Sequence, residues 1–279
     1  MERQKREELF QNVIGEYVED RRQSMTAQET KFTRNRFTSL ELETRFGTKP
    51  GTRIQRNDYT SIVEKLKSLG WTITQDQYFM RVTPEYVDPN TGLTKQSNIR
   101  VEINGIDSIR KYCRSNEIDL GRSSFVQKFP VKLNDERMIV DYPDFGFRIA
   151  LSTERTLSKQ SRNVQSLLQT WKDNKKTFRV IQRVSFRHQN FKTQIDLSIV
   201  RSSTREGRSF KSTYTVIESG VMTNPEMIEL ESEVVDDLVR REQIFDKDFA
   251  NALATQIKQT NKQILSAIQQ SNYPISIDE

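Results

Sequence analysis

The sequence predicts an α+β protein in which helices pack on an antiparallel barrel or sandwich. Three observations carry this prediction. About nine short segments have the alternating pattern of strands, and turn-forming residues separate them. Segments with the apolar spacing of helices lie at both ends of the chain. Of the 279 residues, 34% are hydrophobic and 29% are charged, which argues against a membrane protein and against a large dry parallel sheet.

The N-terminal segment has the pattern of a polar helix. Residues 1–24 contain a thin apolar stripe, which is typical of a helix that packs on the outside of a domain. Residues 25–36 are polar, and we predict a loop there. The stripe consists of Leu9, Val13, Tyr17 and Val18. We therefore expect an N-terminal unit of helix and loop over residues 1–36.

The first strand is predicted at residues 38–46, because apolar and charged side chains alternate there. Its charged face consists of Glu41, Glu43 and Arg45. Its other face consists of Leu40, Leu42, Thr44 and Phe46. A short helix should follow, beginning at Asn57 or Asp58 and ending at Leu69, with Gly70 as its stop.

Strand patterns dominate the rest of the main domain, which we expect to span residues 37–235. Further strands are predicted at residues 71–82, 97–103, 124–129, 145–153, 177–188, 192–200, 212–218 and 226–235. Short helices are predicted near residues 106–112 and 163–171, and turns at 89–92, 143–144 and 205–207. The last segment, residues 236–279, has helical spacing up to residue 271. We expect one helix there that packs on the barrel or leads to a further domain.

The charges are segregated by sign along the chain. The formal net charge is +6 and the pI is about 9.3, which favours a polyanionic partner only weakly. Between Lys159 and Lys211, 13 Lys or Arg residues stand against 3 Asp or Glu residues. Between Glu218 and Asp248, 10 acidic residues stand against 3 basic ones. Basic strands therefore precede an acidic strand.

Several enzyme classes lack their motifs in this sequence. It contains no GxxxxGK[ST] loop, no GxGxxG before a helix, no KxDG, no GxSxG and no HExxH. The single cysteine, Cys113, excludes a disulfide framework, and the single histidine, His188, excludes a multi-histidine metal site. No apolar run approaches the roughly 20 residues of a membrane span. We expect a soluble intracellular protein.

Three predicted strands carry charges of largely one sign on one face. Residues i and i+2 of a strand lie about 6.6 Å apart on the same face, so their like charges repel each other. Solvent, cross-strand cations or a divalent metal must offset this repulsion. A solvated sheet face would explain a single pair, but the segregation favours a barrel lumen that holds Mg²⁺ or Mn²⁺ and phosphates. The three faces consist of Glu41 and Glu43; of Arg179, Arg183 and Arg187; and of Glu229, Glu231 and Glu233.

An ordered set of motifs resembles the triphosphate tunnel metalloenzyme family. Residues 41–45 (ELETR) resemble the ExExR of the family's first strand, and residues 229–233 (ELESE) resemble the ExExE of its last strand. Residues 178–187 (FRVIQRVSFR) resemble its basic strand. Residues 193–201 (TQIDLSIVR) resemble the strand that follows, in which an Asp and a hydroxyl residue face the tunnel. The resemblance implies a closed antiparallel eight-stranded β-barrel with flanking helices.

Within the family, the sequence looks closest to the metal-dependent RNA 5′-triphosphatase domain of viral mRNA capping enzymes. Residues 99–105 (IRVEING), which lead to Tyr112 and Cys113, resemble the versions found in large DNA viruses. The whole resemblance covers roughly residues 38–235, with the motifs in the family's order.

The resemblance assigns a role to each matching residue. The ligands of Mg²⁺ or Mn²⁺ would be Glu41, Glu43, Glu229, Glu231 and Glu233. Phosphates would be held by Arg45, Arg100, Lys128, Arg148, Arg179, Arg183, Arg187 and Ser198. Catalytic roles fall to Glu154, Arg183 and Asp196, with Glu154 orienting the attacking water or a basic neighbour. The family often has a lysine where this sequence has Ile181, so either Arg179 or Arg187 replaces it or the register of the match is shifted.

The resemblance implies an enzyme that removes the γ-phosphate from triphosphate-ended RNA, the first step of mRNA capping. Its partners would be guanylyltransferase and methyltransferase domains or subunits, and its location the cytoplasm, a viral factory or a virion. Two alternatives remain open. One is an inorganic or small-molecule triphosphatase, or a polyphosphate-handling protein, of the same fold. The other is a non-catalytic basic RNA-binding β-domain.

Simpler interpretations apply to single residues. Arg100 and Arg148 could be surface residues of edge strands, and Asp196 and Ser198 could be solvent-exposed residues near a turn. The tryptophans are expected in the core, Cys113 as a small buried apolar residue, and His188 in a loop.

Overall fold

The computed structural model shows a β-barrel surrounded by helices. It describes residues 2–28, 39–48, 52–88, 90–133, 135–207, 209–239 and 245–268. The helices are α1 (Glu2–Gln28), α2 (Asp58–Ser68), α3 (Ile106–Ser115), α4 (Arg162–Gln169), α5 (Asp236–Val239) and α6 (Lys247–Ala267). The strands are β1 (Ser39–Phe46), β2 (Thr72–Val87), β3 (Thr94–Gln96), β4 (Ile99–Asn104), β5 (Ser123–Pro130), β6 (Lys132–Leu133), β7 (Glu136–Arg137), β8 (Ile139–Tyr142), β9 (Phe147–Leu157), β10 (Lys176–Arg187), β11 (Thr193–Ser202), β12 (Arg205–Glu206), β13 (Ser209–Phe210) and β14 (Met227–Val234).

Eight of these strands form the barrel, in the order β1, β14, β11, β10, β2, β4, β5 and β9. Each pairs antiparallel with its neighbours. The last strand, β9, returns to pair with β1 over eight positions, from Ser39 opposite Glu154 to Phe46 opposite Phe147. This pairing joins the two ends of the sheet, so the protein is a closed barrel and not a sandwich. The predicted α+β class and the eight-stranded barrel are confirmed.

Alternation along each strand sends apolar side chains outward and charged side chains into the lumen. On β1, Leu42 and Phe46 are buried against the outer helices, as the sequence predicts. Two apolar layers result: one joins β1, β9, β11 and β14 to α1, α2 and α6, and the other joins β2, β4, β5 and β10 to α3 and α4. The domain therefore has a polar lumen and a polar outer surface, with apolar side chains confined to the layers between barrel and helices, which explains the low hydrophobic content of the chain.

The N-terminal helix packs on the outer wall of the barrel. Its buried stripe is wider than the sequence pattern indicates, because Phe10 and Ile14 are as fully buried as Val13. The ammonium of Lys258 in α6 lies 2.8 Å from a carboxylate oxygen of Glu7. The first and last helices of the described chain thus pack together on one side.

The strand predicted at residues 212–218 is wrong. Thr213 forms an isolated bridge with Lys176, and turns follow it. Side chains of this segment hydrogen-bond to its own backbone groups, which a strand would use to pair with a neighbouring strand. The Glu218 carboxylate accepts a hydrogen bond from the Tyr214 amide at 3.1 Å, and the Ser219 hydroxyl donates one to the Val216 carbonyl at 2.6 Å. Of the turn predicted at residues 205–207, Gly207 is in a turn with φ of +62°, whereas Arg205 and Glu206 form β12 and pair with β13.

The single helix predicted over residues 236–271 is also wrong. The structure has α5 and then α6, and Asp246 before α6 has an extended backbone. Its carboxylate accepts a hydrogen bond from the Phe249 amide at 2.9 Å, which is an N-cap that starts a new helix. Residues 240–244 and 269–271 of this prediction lie outside the described residues, as do residues 29–36 of the predicted N-terminal loop; α1 itself extends to Gln28.

The residues expected to be structural occupy structural positions. Trp71 and Trp171 are buried, and the ring of His188, in the loop between β10 and β11, lies 5.5 Å from that of Trp71. Cys113 is half-buried. The short strands β3, β6, β7 and β8 span too few residues to give an alternating pattern, and the sequence does not predict them. Among the described residues, none of the helices has the length and apolar character needed to cross a membrane.

Candidate functional site

Carboxylates line one wall of the lumen, on three adjacent strands. In the pairing of β1 with β14, Glu43 lies opposite Glu233 and Arg45 lies opposite Glu231. On the other side of β14, the next strand places Asp196 opposite Glu231. The alternating pattern of each strand turns all these side chains to the same face. The acidic wall consists of Glu41, Glu43, Asp196, Glu229, Glu231 and Glu233.

Basic side chains line the remaining wall. Arg179 and Arg183 lie on β10, next to β11, which carries Asp196, and Arg100 lies on β4. Lys128 of β5 lies opposite Glu154 of β9, which brings this carboxylate to the edge of the acidic wall. The lumen therefore has a basic side and an acidic side.

Ion pairs connect the two walls. Lys128 reaches from β5 to both carboxylates of β1; its ammonium contacts Glu41 and lies 3.2 Å from Glu43. A guanidinium nitrogen of Arg179 lies 2.6 Å from Glu229. Further pairs join Arg45 to Glu231 at 2.5 Å, Arg183 to Asp196 at 3.0 Å, and Arg100 to Glu154 at 2.8 Å. The side chains that the sequence separates by sign thus meet inside the barrel.

Negative charge is in excess near the β1–β14 seam. Burial, together with the like charges of Asp196 and Glu41, raises the pKa of Glu233 to about 8, although Arg183 opposes this. Burial also raises the pKa of Glu43, and the neighbouring Lys128 offsets this only in part. Two buried carboxyl groups of one wall therefore lack sufficient positive charge. A cation bound at this seam would supply it.

The pKa values of two other carboxyl groups of the lumen are shifted in opposite directions. Burial raises the pKa of Glu154, and the like charge of Glu41 adds to this effect. Burial also acts on Glu231, but the guanidiniums of Arg45 and Arg183 outweigh it and hold the pKa of Glu231 at about 2. Glu231 is thus a fixed anion, whereas Glu154 can accept a proton.

The basic wall contains mutually repelling arginines. Arg81 of β2 lies opposite Arg179 of β10 and donates two hydrogen bonds, of 2.8 and 3.0 Å, to Glu102. Burial and the like charges of Arg100 and Arg179 lower the pKa of Arg81 to about 10. The Nε of Arg179 is buried and makes no hydrogen bond. Buried cations in this arrangement favour an anion that can bind several of them at once.

A cleft of about 560 Å³ opens where β1 ends and β14 begins. Three carboxylates and five arginines line it. The carboxylates are Glu226, Glu229 and Glu231, and the arginines are Arg45, Arg53, Arg56, Arg148 and Arg205. Because Arg45, Glu229 and Glu231 also belong to the lumen, the cleft is its continuation toward solvent.

The structure gathers most of the predicted site residues. Arg100 is largely buried, and Asp196 and Ser198 are buried, so their simpler interpretation as exposed residues is wrong. Arg148 lies at the rim, 42% exposed and 2.8 Å from Asp141. Arg187 lies beyond a bulge at Thr74 of β2, opposite Thr72 and Gln194. The lumen contains Glu41, Glu43, Arg45, Arg100, Lys128, Glu154, Arg179, Arg183, Asp196, Ser198, Glu229, Glu231 and Glu233.

Sequence reasoning missed Arg81 and Glu102, which form part of the basic wall. Alternation was the available signal, because Arg81 stands between Met80 and Val82, which are both buried in the outer layer. Three of the five arginines of the cleft lie on loops and a short hairpin, where no periodic pattern marks them. They are Arg53, Arg56 and Arg205.

Ile181 occupies an apolar cluster inside the lumen. It lies opposite Phe79 of β2 and Val200 of β11, and these three buried side chains pack together. The position where the resembling family often has a lysine is therefore apolar here. Arg179 and Arg183 flank it on the same face of β10.

Among the described residues, no group of three or more His, Cys, Asp or Glu side chains is gathered closely enough to hold a metal ion as it stands. Instead, the carboxylates form ion pairs with Lys128 and the arginines. The donor set still fits a hard divalent cation, because it consists of carboxylate oxygens and carries the uncompensated charge at Glu233 and Glu43.

No family model and no curated protein matches this chain. Among solved structures, the Pct1 RNA triphosphatase of S. pombe is 18% identical, with a TM-score of 0.46, and the match covers 83% of this chain and 86% of that chain. The PH1012 protein from Pyrococcus horikoshii OT3 is 11% identical, with a TM-score of 0.38, and the match covers 85% of this chain and 96% of that chain. Structural similarities at this level do not assign a function. The assignment must come from the side chains of the lumen.

We expect Glu233→Gln to stabilise the metal-free protein near pH 8 and to have little effect near pH 5. A carboxyl whose pKa rises from 4.5 to about 8 on folding binds a proton in the native state, so the wild type loses stability as the pH rises through this window. The glutamine side chain cannot ionise, so the stability of the variant should not fall over this pH range. A pKa shift of this size is worth about 4–5 kcal/mol, so thermal unfolding in a chelator should show a gain of roughly 10 °C near pH 8. Exposed Glu136 provides the control Glu136→Gln, and an unchanged slope in Glu233→Gln would contradict the charge excess.

We expect Ile181→Lys to destabilise the protein by about 3–5 kcal/mol, because it buries an unpaired ammonium between arginines. The matched variant Ile181→Met keeps an unbranched apolar side chain and should cost less than about 1.5 kcal/mol. Urea unfolding of both variants measures the difference. If the Lys and Met variants were equally stable, the basic wall would accommodate a third cation, and water would have to reach the cluster around Ile181.

Proposed function

We propose that the protein is a metal-dependent RNA 5′-triphosphatase of the triphosphate tunnel type. One observation carries the proposal: a closed barrel encloses a carboxylate wall that faces a wall of arginines and a lysine. A cation can bind one wall while a chain of phosphates binds the other. The ordered motifs at both ends of the barrel domain support the same assignment.

The carboxylates of β1 and β14 would hold the metal, which we propose to be Mg²⁺ or Mn²⁺. These ions prefer hard oxygen ligands. The proposed ligands are Glu41, Glu43, Glu229, Glu231 and Glu233. When bound, the ion would withdraw charge from the γ-phosphate.

The basic wall would bind the phosphates by exchanging its present partners. Arg183, Arg179 and Lys128 each contact a carboxylate, and a phosphate oxygen offers the same charge with more acceptor sites. Arg100 and Arg45 would complete the cradle, and Ser198 would donate a hydrogen bond. Phosphoryl transfer depends mainly on such positioning and charge neutralisation.

Glu154 would accept the proton of the attacking water. Its raised pKa suits a general base, and the 2.8 Å contact with Arg100 orients it toward the basic wall. The water oxygen forms a bond to the γ-phosphorus while the bond to the β–γ bridging oxygen breaks. The products are inorganic phosphate and a diphosphate-ended RNA. Asp196 would hold Arg183 in place during this step.

The cleft favours RNA over a small triphosphate as the substrate. A free triphosphate needs only the lumen, whereas an RNA chain continues past its 5′ end and carries a phosphate at each nucleotide. Arg56 and Arg205 lie along that path and pack over the rings of Tyr59 and Phe210, at 5.4 and 4.9 Å. Guanidinium and aromatic groups together suit phosphates and unstacked bases.

The remaining expectations rest only on the resemblance of the sequence to the capping-enzyme members of the family, with residues 99–105 pointing to the viral members, and they stay proposals. They are a role in mRNA capping, a viral origin, guanylyltransferase and methyltransferase partners, and a location in the cytoplasm, a viral factory or a virion. The division into residues 1–36, 37–235 and 236–279, which rests on the helix and strand patterns of the sequence, also stays a proposal.

We expect Glu43→Gln to lower kcat for phosphate release from triphosphate-ended RNA by about 100-fold or more, because it removes a proposed metal ligand. Folding should be unaffected, as thermal unfolding can verify. Glu117→Gln, at an exposed position paired with Lys172, serves as the control with unchanged kcat. Wild-type turnover in Glu43→Gln would refute this site. RNA binding by the wild type without any metal-dependent phosphate release would favour the non-catalytic alternative.

We expect Arg205→Glu to raise KM for triphosphate-ended RNA by about tenfold and to leave KM for tripolyphosphate unchanged. The lost phosphate contact should also reduce the salt dependence of RNA binding by about 0.7 in slope. Arg110→Glu, at a 69% exposed position on α3, controls for the change in net charge. If both substrates respond equally to Arg205→Glu, or neither responds, the small-molecule triphosphatase becomes the better assignment.

A further inference from the structure

Phe79 is an aromatic side chain inside a charged lumen. It stands on the same face of β2 as Arg81, yet it is only 5% exposed. Its neighbours on the adjacent strands are Ile181 of β10 and Asn104 of β4. The ring is therefore not part of the outer apolar layers, and it needs a separate explanation.

Two guanidinium groups of the basic wall pack over this ring. The guanidinium carbon of Arg81 lies 5.9 Å from the ring centroid, and that of Arg183 lies 5.7 Å from it. Both distances are within the range of cation–π attraction. Each guanidinium is also anchored from another side, Arg81 by Glu102 at 2.8 Å and Arg183 by Asp196 at 3.0 Å.

The two arginines would separate without such a restraint. They carry like charges in a poorly hydrated lumen, and the charge of Arg183 is among those that disfavour the charged form of Arg81. Ile181 and Val200 pack beside the ring and exclude water from its surroundings, which strengthens a cation–π contact. An aliphatic side chain of similar size could fill this space but could not attract the guanidiniums.

We propose that Phe79 is a positioning residue of the phosphate-binding wall, whose ring holds Arg81 and Arg183 as a preformed pair that receives a linear triphosphate. This inference rests on the proposed function of the lumen. It adds Arg81 to the groups that contact the substrate. It also assigns a purpose to the apolar cluster: Ile181 and Val200 keep the ring dry and in place.

The decisive experiment replaces Phe79 with phenylalanines that carry one, two and three fluorine atoms. Fluorine withdraws electron density from the ring face and keeps the shape, so the cation–π attraction weakens stepwise while the packing stays the same. The probe is imidotriphosphate, a non-hydrolysable tripolyphosphate analogue, with Mg²⁺ in a calorimeter. We expect its dissociation constant to rise with each fluorine, to about tenfold for the trifluorinated ring.

Two ordinary variants provide a second readout. Phe79→Leu should raise KM for tripolyphosphate by about tenfold and change kcat by less than about threefold, and Phe79→Tyr should restore KM. Phe125→Leu is the matched control: it truncates a fully buried ring in the outer layer and should lower the melting temperature without changing KM.

The possible results separate the role of Phe79 from the proposed function of the lumen. A dissociation constant that stays flat across the fluorinated series would overturn the role of Phe79 while leaving the proposed function intact. So would a Phe79→Tyr variant that folds but binds as weakly as Phe79→Leu. A wild-type protein that neither binds imidotriphosphate nor releases phosphate from triphosphate-ended RNA would refute the proposed function, and this inference with it.

Discussion

Closure of the barrel is the constraint on which the other features depend. Once β9 pairs with β1, every inward side chain shares a narrow space with the side chains of seven other strands. Charges in such a space cost several kcal/mol each unless they are paired. Lys128 therefore reaches across to two glutamates, and Arg45 lies against Glu231. The ion pairs are consequences of closure and not independent sources of stability.

The pairing is incomplete in two places, and these places differ in sign. Near Glu233 the acidic wall has too little positive charge, and around Arg81 the basic wall crowds like charges together. A cation alone would relieve the first imbalance, and a polyanion alone would relieve the second. A lumen of this kind would bind both together more readily than either one, because each would offset the charge that the other brings. The segregation of acidic and basic residues along the sequence thus produces two walls of opposite charge in one lumen.

Local patterns in the sequence predicted the charged faces of β1, β10 and β14, but they missed Arg81 and Glu102 and did not show which side chains meet. Alternation along β1 and β14 identifies the faces that carry Glu43 and Glu231, since facing depends only on neighbours in the chain. The contact of Lys128 with Glu43 joins residues 85 positions apart, and no local pattern encodes that register. Ile181 shows the same limit, because its apolar environment comes from two other strands. The segment 212–218 failed for the opposite reason: its own side chains bind its backbone and remove the ladder that its pattern suggested.

The packing of α1 against α6 has a consequence for how the chain folds. Glu7 and Lys258 are 251 residues apart, and Trp71 hydrogen-bonds to Gln263 across 192 residues. The larger apolar layer is thus built from the beginning and the end of the described chain, with most of the barrel between them. Contacts of such sequence separation slow the search for the native state. During synthesis, α1 and the outer face of β1 would emerge from the ribosome long before α6 exists to cover them, so the newly made chain has a prolonged need for protection from aggregation.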